Sequence, residues 1–263
     1  MDLGLTGKRA FVSGSTQGIG YAVARVLAAE GASVVLNGRT AERVDAAVAR
    51  LRAVVPAAEV SGIAADFADA EQVRRLLGEV GDVDVLVNNV GVFELGAFEE
   101  ISDEEWQRYL DVNLMSGVRM SRHVLPAMLA RGWGRIIFIS SEAGVSVPAD
   151  MAHYGVTKAG QLALGNALAK LTRGTRVTVN SILGGPTYSD GVAEVVAQIS
   201  AAQGMAPEQL KGALEAGIPT SLLQRFIEPE EIASLAAYLA SPLSSATNGA
   251  VLRADGGVLT TVL

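Results

Sequence analysis

Short apolar runs that alternate with stretches of helical periodicity constrain this chain more than any other feature. Lys8–Val12, Ser33–Asn37, Glu59–Ala64, Asp84–Val87, Ile136–Ile139, Thr175–Leu183 and Ala250–Arg253 read as strands, each too short for a typical helix. Helical stretches separate them. One runs to about Glu30, then come Ala41–Val54 and about Glu71–Glu79; a long one opens at Ser102, another continues through Leu171, and Pro229 starts the last, to about Ala240. Regular alternation of this kind specifies an α/β fold with a parallel sheet, and runs without polar interruption suit a sheet covered on both faces. The material for such a core is present, with 49% of residues hydrophobic and 19% charged. The 263 residues contain no linker or repeat, so a single domain over 1–263 is expected.

The first strand runs into Ser13-Gly14-Ser15-Thr16-Gln17-Gly18-Ile19-Gly20, where the glycines have the spacing Gly-x-x-x-Gly-x-Gly. A glycine turn between a strand and a helix start directs unpaired backbone N–H groups and the positive helix end at an anion, and lets the backbone approach it closely. In that context Gly14 to Gly20 read as the phosphate loop of a dinucleotide site. The second strand ends at Gly38-Arg39, where an acidic residue would bond the adenine-ribose hydroxyls. A guanidinium there can clamp a 2′-phosphate instead, so NADP(H) is expected over NAD(H). Asp66, followed by Phe67, lies where a strand end could present a carboxylate to the adenine amino group. Asn88-Asn89-Val90-Gly91 at the fourth strand's end suits a tight turn or contact with the nucleotide.

The fifth strand ends in Ser140-Ser141, and Tyr154 and Lys158 follow four apart on a helix, where both side chains can reach one small molecule. A phenol with a pKa of about 10 becomes useful near neutrality when adjacent positive charge stabilises its phenolate. Lys158 is placed to supply that charge, with Ser141 holding a substrate oxygen. Asn113 lies in the helix opened by the capping box Ser102-Asp103-Glu104-Glu105, and Pro126 is expected to kink or shorten that helix before Gly132. Beyond the sixth strand, residues 188–223 form an amphipathic insertion broken by glycine and proline, a candidate substrate lid. Its Val192, Val196, Ile199 and Met205 could cover a hydrophobic carbonyl compound; Phe93, Glu142, Val147, Met151 and His153 fall near the expected site.

Charge and composition narrow the partners. A net charge of −7 offers no basic surface for nucleic acid, the absence of cysteine excludes thiolate chemistry, and two histidines leave little for a metal site. No leader precedes Leu5 and no apolar run approaches the roughly 18 residues of a membrane span, so a cytoplasmic protein without a membrane partner is expected.

Together, the order and spacing of these motifs resemble the short-chain dehydrogenase/reductase family across nearly the whole chain. Gly14, Gly18 and Gly20 match its cofactor loop; Asn88-Asn89-Val90-Gly91 matches its Asn-Asn-Ala-Gly, with Val in third place. Its catalytic Asn, Ser, Tyr and Lys correspond to Asn113, Ser141, Tyr154 and Lys158. The resemblance implies a doubly wound, seven-stranded Rossmann-like sheet with helices on both faces, and a homotetramer or homodimer. It also implies hydride transfer between NADP(H) and a small-molecule carbonyl or secondary alcohol. Lys158 would then hold the nicotinamide ribose, and the Asn113 backbone a water that passes protons towards Lys158. The family's Pro-Gly after the sixth strand is Gly184-Gly185 here, yet Gly185, Pro186 and Thr187 still offer backbone groups and a hydroxyl to the carboxamide. The rival is a nucleotide-binding redox or metabolite sensor without turnover.

Overall fold

The computed structural model of the chain describes residues 1–262. Seven parallel strands form one sheet in the order β3-β2-β1-β4-β5-β6-β7. The strands are β1 Arg9–Val12, β2 Ser33–Gly38, β3 Val60–Ala64, β4 Val85–Asn88, β5 Trp133–Ser141, β6 Arg176–Gly184 and β7 Val251–Ala254. Successive residues of a strand face opposite sides, and in β1, β4 and the middle of β5 both sides are apolar. Ala10, Val12, Ile137 and Ile139 join the core beneath α1 Gly18–Ala29 and α9 Pro229–Ala240. Phe11, Ile136 and Phe138 enter a second core with Leu76 of α3 Ala70–Val80 and Met120, Val124 and Met128 of α5 Ser116–Arg131. That double burial is why β1, β4 and the middle of β5 carry no polar alternation.

The connectivity places the crevice. From β1 the chain moves outwards to β2 and β3, packing α2 Ala41–Val54 on the way, then returns to the far side of β1 as β4. At such a reversal the loops after neighbouring strands diverge and leave an opening at their carboxyl ends. The loops after β1 and β4 therefore frame the opening, and those after β5 and β6 extend it.

One helix departs from expectation. Ser102 caps α4 Asp103–Tyr109 by accepting from the Glu105 N–H at 3.2 Å, but a π-helical turn, Leu110–Met115, separates α4 from α5 and contains Asn113. Pro126 lies inside α5 and does not shorten it: the helix continues to Arg131, and Gly132 ends it in a left-handed conformation (φ 70°). Burial of Met120, Val124, Leu125 and Met128 on both sides of Pro126 offsets the missing backbone hydrogen bond. α6 Ala152–Leu171 starts two residues before Tyr154. Residues 188–223 supply two further helices, α7 Asp190–Gln203 and α8 Pro207–Ala216. Among the described residues no helix is long and apolar enough to cross a membrane.

Candidate active site

Two adjoining cavities occupy the crevice. The first, of about 280 Å3, is lined by Gly14, Thr16, Gln17, Arg39, Arg43, Asp66, Phe67, Val90 and Gly91. The second, of about 440 Å3, is lined by Gln17 to Gly20, Gly91, Ser141, Tyr154, Lys158 and Gly185 to Thr187, with Phe93, Met151, Val192 and Phe226 as apolar wall. Most residues singled out in the sequence thus face one continuous opening. Two expected cofactor contacts do not. Ser15 is buried, its Oγ donating to Val12 O at 2.7 Å and accepting from the Asn37 N–H at 2.9 Å. Asn88 is also buried, its Nδ2 donating to Ser121 Oγ at 3.2 Å. Ser15 braces the ends of β1 and β2, and Asn88 ties β4 to α5.

The glycine loop is shaped by what lies behind it. Gly14 and Gly18 hold positive φ (60° and 58°), where a side chain would be strained. A Cβ at Gly20 would sit 2.4 Å from both Asn89 Nδ2 and the Gly14 carbonyl oxygen. Asn89 in turn donates to the carbonyls of Ser13 and Gly14 at 3.0 and 2.9 Å, while Asn37 Oδ1 accepts from the Gly14 N–H at 3.1 Å. Gly20→Ala is accordingly expected to destabilise the protein by roughly 1–3 kcal/mol and to weaken dinucleotide binding. Thermal unfolding and an NADPH titration check both. On the adenine side, Arg39 and Arg43 face the first cavity with Asp66, one of whose oxygens accepts from the Ala68 N–H at 3.0 Å.

At the other end, the parallel register sets Ser141 of β5 beside Gly184 of β6, and α6 packs over both strands. Ser140 and Ser141 both line the cavity, but Ser140 Oγ is committed to the Lys158 carbonyl at 3.1 Å, which leaves Ser141 as the β5 serine placed to meet a substrate. Lys158 is buried; its Nζ donates to Ile139 O at 2.9 Å and Gln161 Oε1 at 3.4 Å and lies 5.5 Å from the centre of the Tyr154 ring. Desolvation lowers its pKa to about 8, against a smaller upward pull from Glu142. Tyr154 differs from the sequence-based expectation of a lowered pKa. Burial, the largest influence, pushes the phenol well above its ordinary value; a Ser141 hydrogen bond opposes this, and Glu142 and Tyr109 add to it. In the cofactor-free fold this favours the protonated phenol, the form from which a proton can pass to a substrate.

Asn113 does not line either cavity. Its side-chain oxygen accepts from the Val92 N–H at 2.8 Å, and its amide donates to Val92 O and Thr157 Oγ1 at 3.0 and 3.1 Å. Its backbone carbonyl, expected to hold a water, accepts from Gln161 Nε2 at 2.6 Å. Gln161 therefore bridges Asn113 to Lys158 directly. Sequence reading missed Gln161, Asn37 and Asn89 in these roles. A glutamine three residues after Lys158 was the available signal, since a polar side chain on the sheet-facing side of a helix requires a partner.

Other expected neighbours are redistributed. His153 is buried against Tyr109, ring centres 3.9 Å apart, and away from the opening. Val147 packs towards Gly155 instead of lining a cavity, and Val196 is buried within the α7 region, so Val192 alone of the four apolar residues expected in the lid reaches the wall. Asp190, opening α7, accepts from the Gly18 N–H at 2.6 Å and ties the insertion to the glycine loop.

A parallel sheet with its glycine loop, and a serine, tyrosine and lysine at the crevice, define an oxidoreductase of the Rossmann type. The profile of the short chain dehydrogenase family matches residues 8–200, and the chain belongs to that family. An uncharacterised oxidoreductase of Bacillus subtilis, YvaG, is 43% identical over 263 residues, with both chains covered completely. D-beta-hydroxybutyrate dehydrogenase of Cupriavidus necator is 33% identical over 96% of this chain and 98% of its own. Among solved structures, L-sorbose reductase from Gluconobacter frateurii, complexed with NADPH and L-sorbose, superposes with a TM-score of 0.94 at 31% identity and full coverage of both chains.

Proposed function

We propose that the protein is an NADP(H)-dependent oxidoreductase that interconverts a carbonyl and a secondary alcohol, acting on a small to medium, partly hydrophobic substrate. The observation that carries this reading is the convergence of Ser141, Tyr154 and Lys158 on the same cavity as Gly18 to Gly20. The residues present fit a dinucleotide. The glycine loop would let a pyrophosphate approach the start of α1 in place of Asp190, which holds the Gly18 N–H in the cofactor-free fold, Arg39 and Arg43 face the 2′-phosphate end, and Gly185 to Thr187 line the other. When bound, the reduced nicotinamide supplies the hydride. Tyr154 donates its proton to the carbonyl oxygen as charge develops there, and Ser141 donates a hydrogen bond to the same oxygen. Lys158, fixed by Ile139 O and Gln161, holds the nicotinamide ribose and steadies the phenolate left behind. Residues 188–223 serve as a substrate lid.

Titrating the protein with NADPH and NADH by fluorescence, then following NADPH oxidation with a panel of ketones, tests the reading. Tight NADPH binding without turnover of any ketone would leave a nucleotide sensor in its place. Arg39→Ala is expected to raise the Kd for NADPH roughly 10- to 100-fold, the worth of a lost charge-assisted pair of hydrogen bonds, and to leave that for NADH within threefold or so. The family resemblance further supports a homotetramer or homodimer, for which Val156 and Leu171, apolar and exposed on α6, provide surface. Light scattering in solution decides the assembly.

A further inference from the structure

Among the described residues Glu142 is the only acidic side chain lining the catalytic cavity, and the proposed chemistry assigns it no task. It follows Ser141 at the end of β5, and Ser141 Oγ donates to its Oε2 at 2.7 Å. The hydroxyl has one proton. Ser141 can give it to Glu142 or to a substrate carbonyl, and cannot serve both at once. A substrate carrying a hydroxyl on the carbon next to its carbonyl resolves the conflict: that hydroxyl donates to Glu142 and frees the Ser141 proton for the carbonyl oxygen. A plain ketone leaves Ser141 turned away.

The surrounding charges act in the same direction. Among the described residues Lys158 is the only cation on the cavity wall, and its Nζ is already engaged by Ile139 O and Gln161. A keto acid would bring its carboxylate to a wall that presents Glu142 and no arginine. Burial raises the Glu142 carboxyl, with a smaller push from Asp255, while Ser141 and the nearby backbone N–H groups of Glu142 and Ala143 pull it down. The Ser141 contact makes Glu142 an acceptor held against the reacting position.

We propose that Glu142 is a specificity-determining residue that selects neutral α-hydroxycarbonyl compounds, such as ketoses and hydroxyketones, over plain ketones and keto acids. The inference rests on the carbonyl-reductase reading above. Its test compares hydroxyacetone, butanone and acetoacetate, which differ in the group beside the carbonyl, in the wild type, Glu142→Gln and Glu142→Ala. The wild type is expected to show a kcat/KM for hydroxyacetone at least about tenfold above the other two, a difference of roughly 1.4 kcal/mol. Glu142→Ala should lower the hydroxyacetone value, raise that for butanone by freeing Ser141, and bring the two within about threefold of each other. Glu142→Gln, which removes only the charge, should raise acetoacetate reduction about tenfold. The Kd for NADPH should stay unchanged in both variants, which excludes misfolding as the cause. Equal hydroxyacetone-to-butanone ratios in wild type and Glu142→Ala, or a wild type that reduces acetoacetate as well as hydroxyacetone, overturn the inference and leave the reductase reading standing. NADPH binding with no carbonyl reduced overturns both.

Discussion

Tyr154→Phe is expected to lower carbonyl reduction by roughly 10²- to 10⁴-fold while NADPH binds with its wild-type affinity. The substitution deletes one oxygen and retains the ring that meets Phe93 edge-on at 6.4 Å. Neither the glycine loop nor Lys158's contacts with Ile139 and Gln161 depend on that oxygen. Because burial holds the phenol above its ordinary pKa, wild-type reduction should lose no rate through this group as pH rises across neutrality. Single-turnover oxidation of prebound NADPH separates the two effects. A variant that retains near-normal turnover would remove Tyr154 from the role of acid.

Lys158→Met should abolish at least about 99% of the activity and at the same time change how stability responds to pH. In the cofactor-free fold, burial lowers the Lys158 pKa from 10.5 to about 8. Keeping the cation buried below that pH costs on the order of 3 kcal/mol. The sign follows from proton counting. Between about pH 8 and 10 the unfolded chain binds more protons at this residue than the native state, so this contribution makes stability rise with pH. Below about pH 8 both states hold the proton and the full cost persists. Methionine fills similar volume without a charge, so the rise should vanish, while unpaired Ile139 O and Gln161 Oε1 limit the net gain at neutral pH. Urea unfolding of the cofactor-free protein from pH 7 to 10 is the measurement. Parallel profiles for wild type and variant would show that Lys158 is not the buried titrating group.

The features legible in the sequence were those carried by neighbouring residues. Ile136 to Phe138 and Val85 to Val87 announce buried strands because each is apolar on both faces, and Gly14, Gly18 and Gly20 reveal a loop because the strand and helix flanking them are equally local. Ser141, Tyr154 and Lys158 could be placed by their spacing from those elements. What escaped is the wiring between distant segments: Gln161 meets Asn113 across 48 positions and Asn89 meets Gly14 across 75. The sequence shows these as isolated amides. The raised Tyr154 pKa escaped for a related reason, since burial is set by everything packed around the ring and not by the motif's own residues.

The position of β1 between β2 and β4 has a consequence for synthesis. The four strands β3-β2-β1-β4 are complete once residue 88 has left the ribosome, whereas β5 begins only at residue 133. The nucleotide-facing half of the sheet can therefore assemble first, with β4 as a raw edge of unpaired backbone groups until its neighbour arrives. For more than forty residues of translation that edge is open to the wrong strand, well before Ser141, Tyr154 and Lys158 have been made.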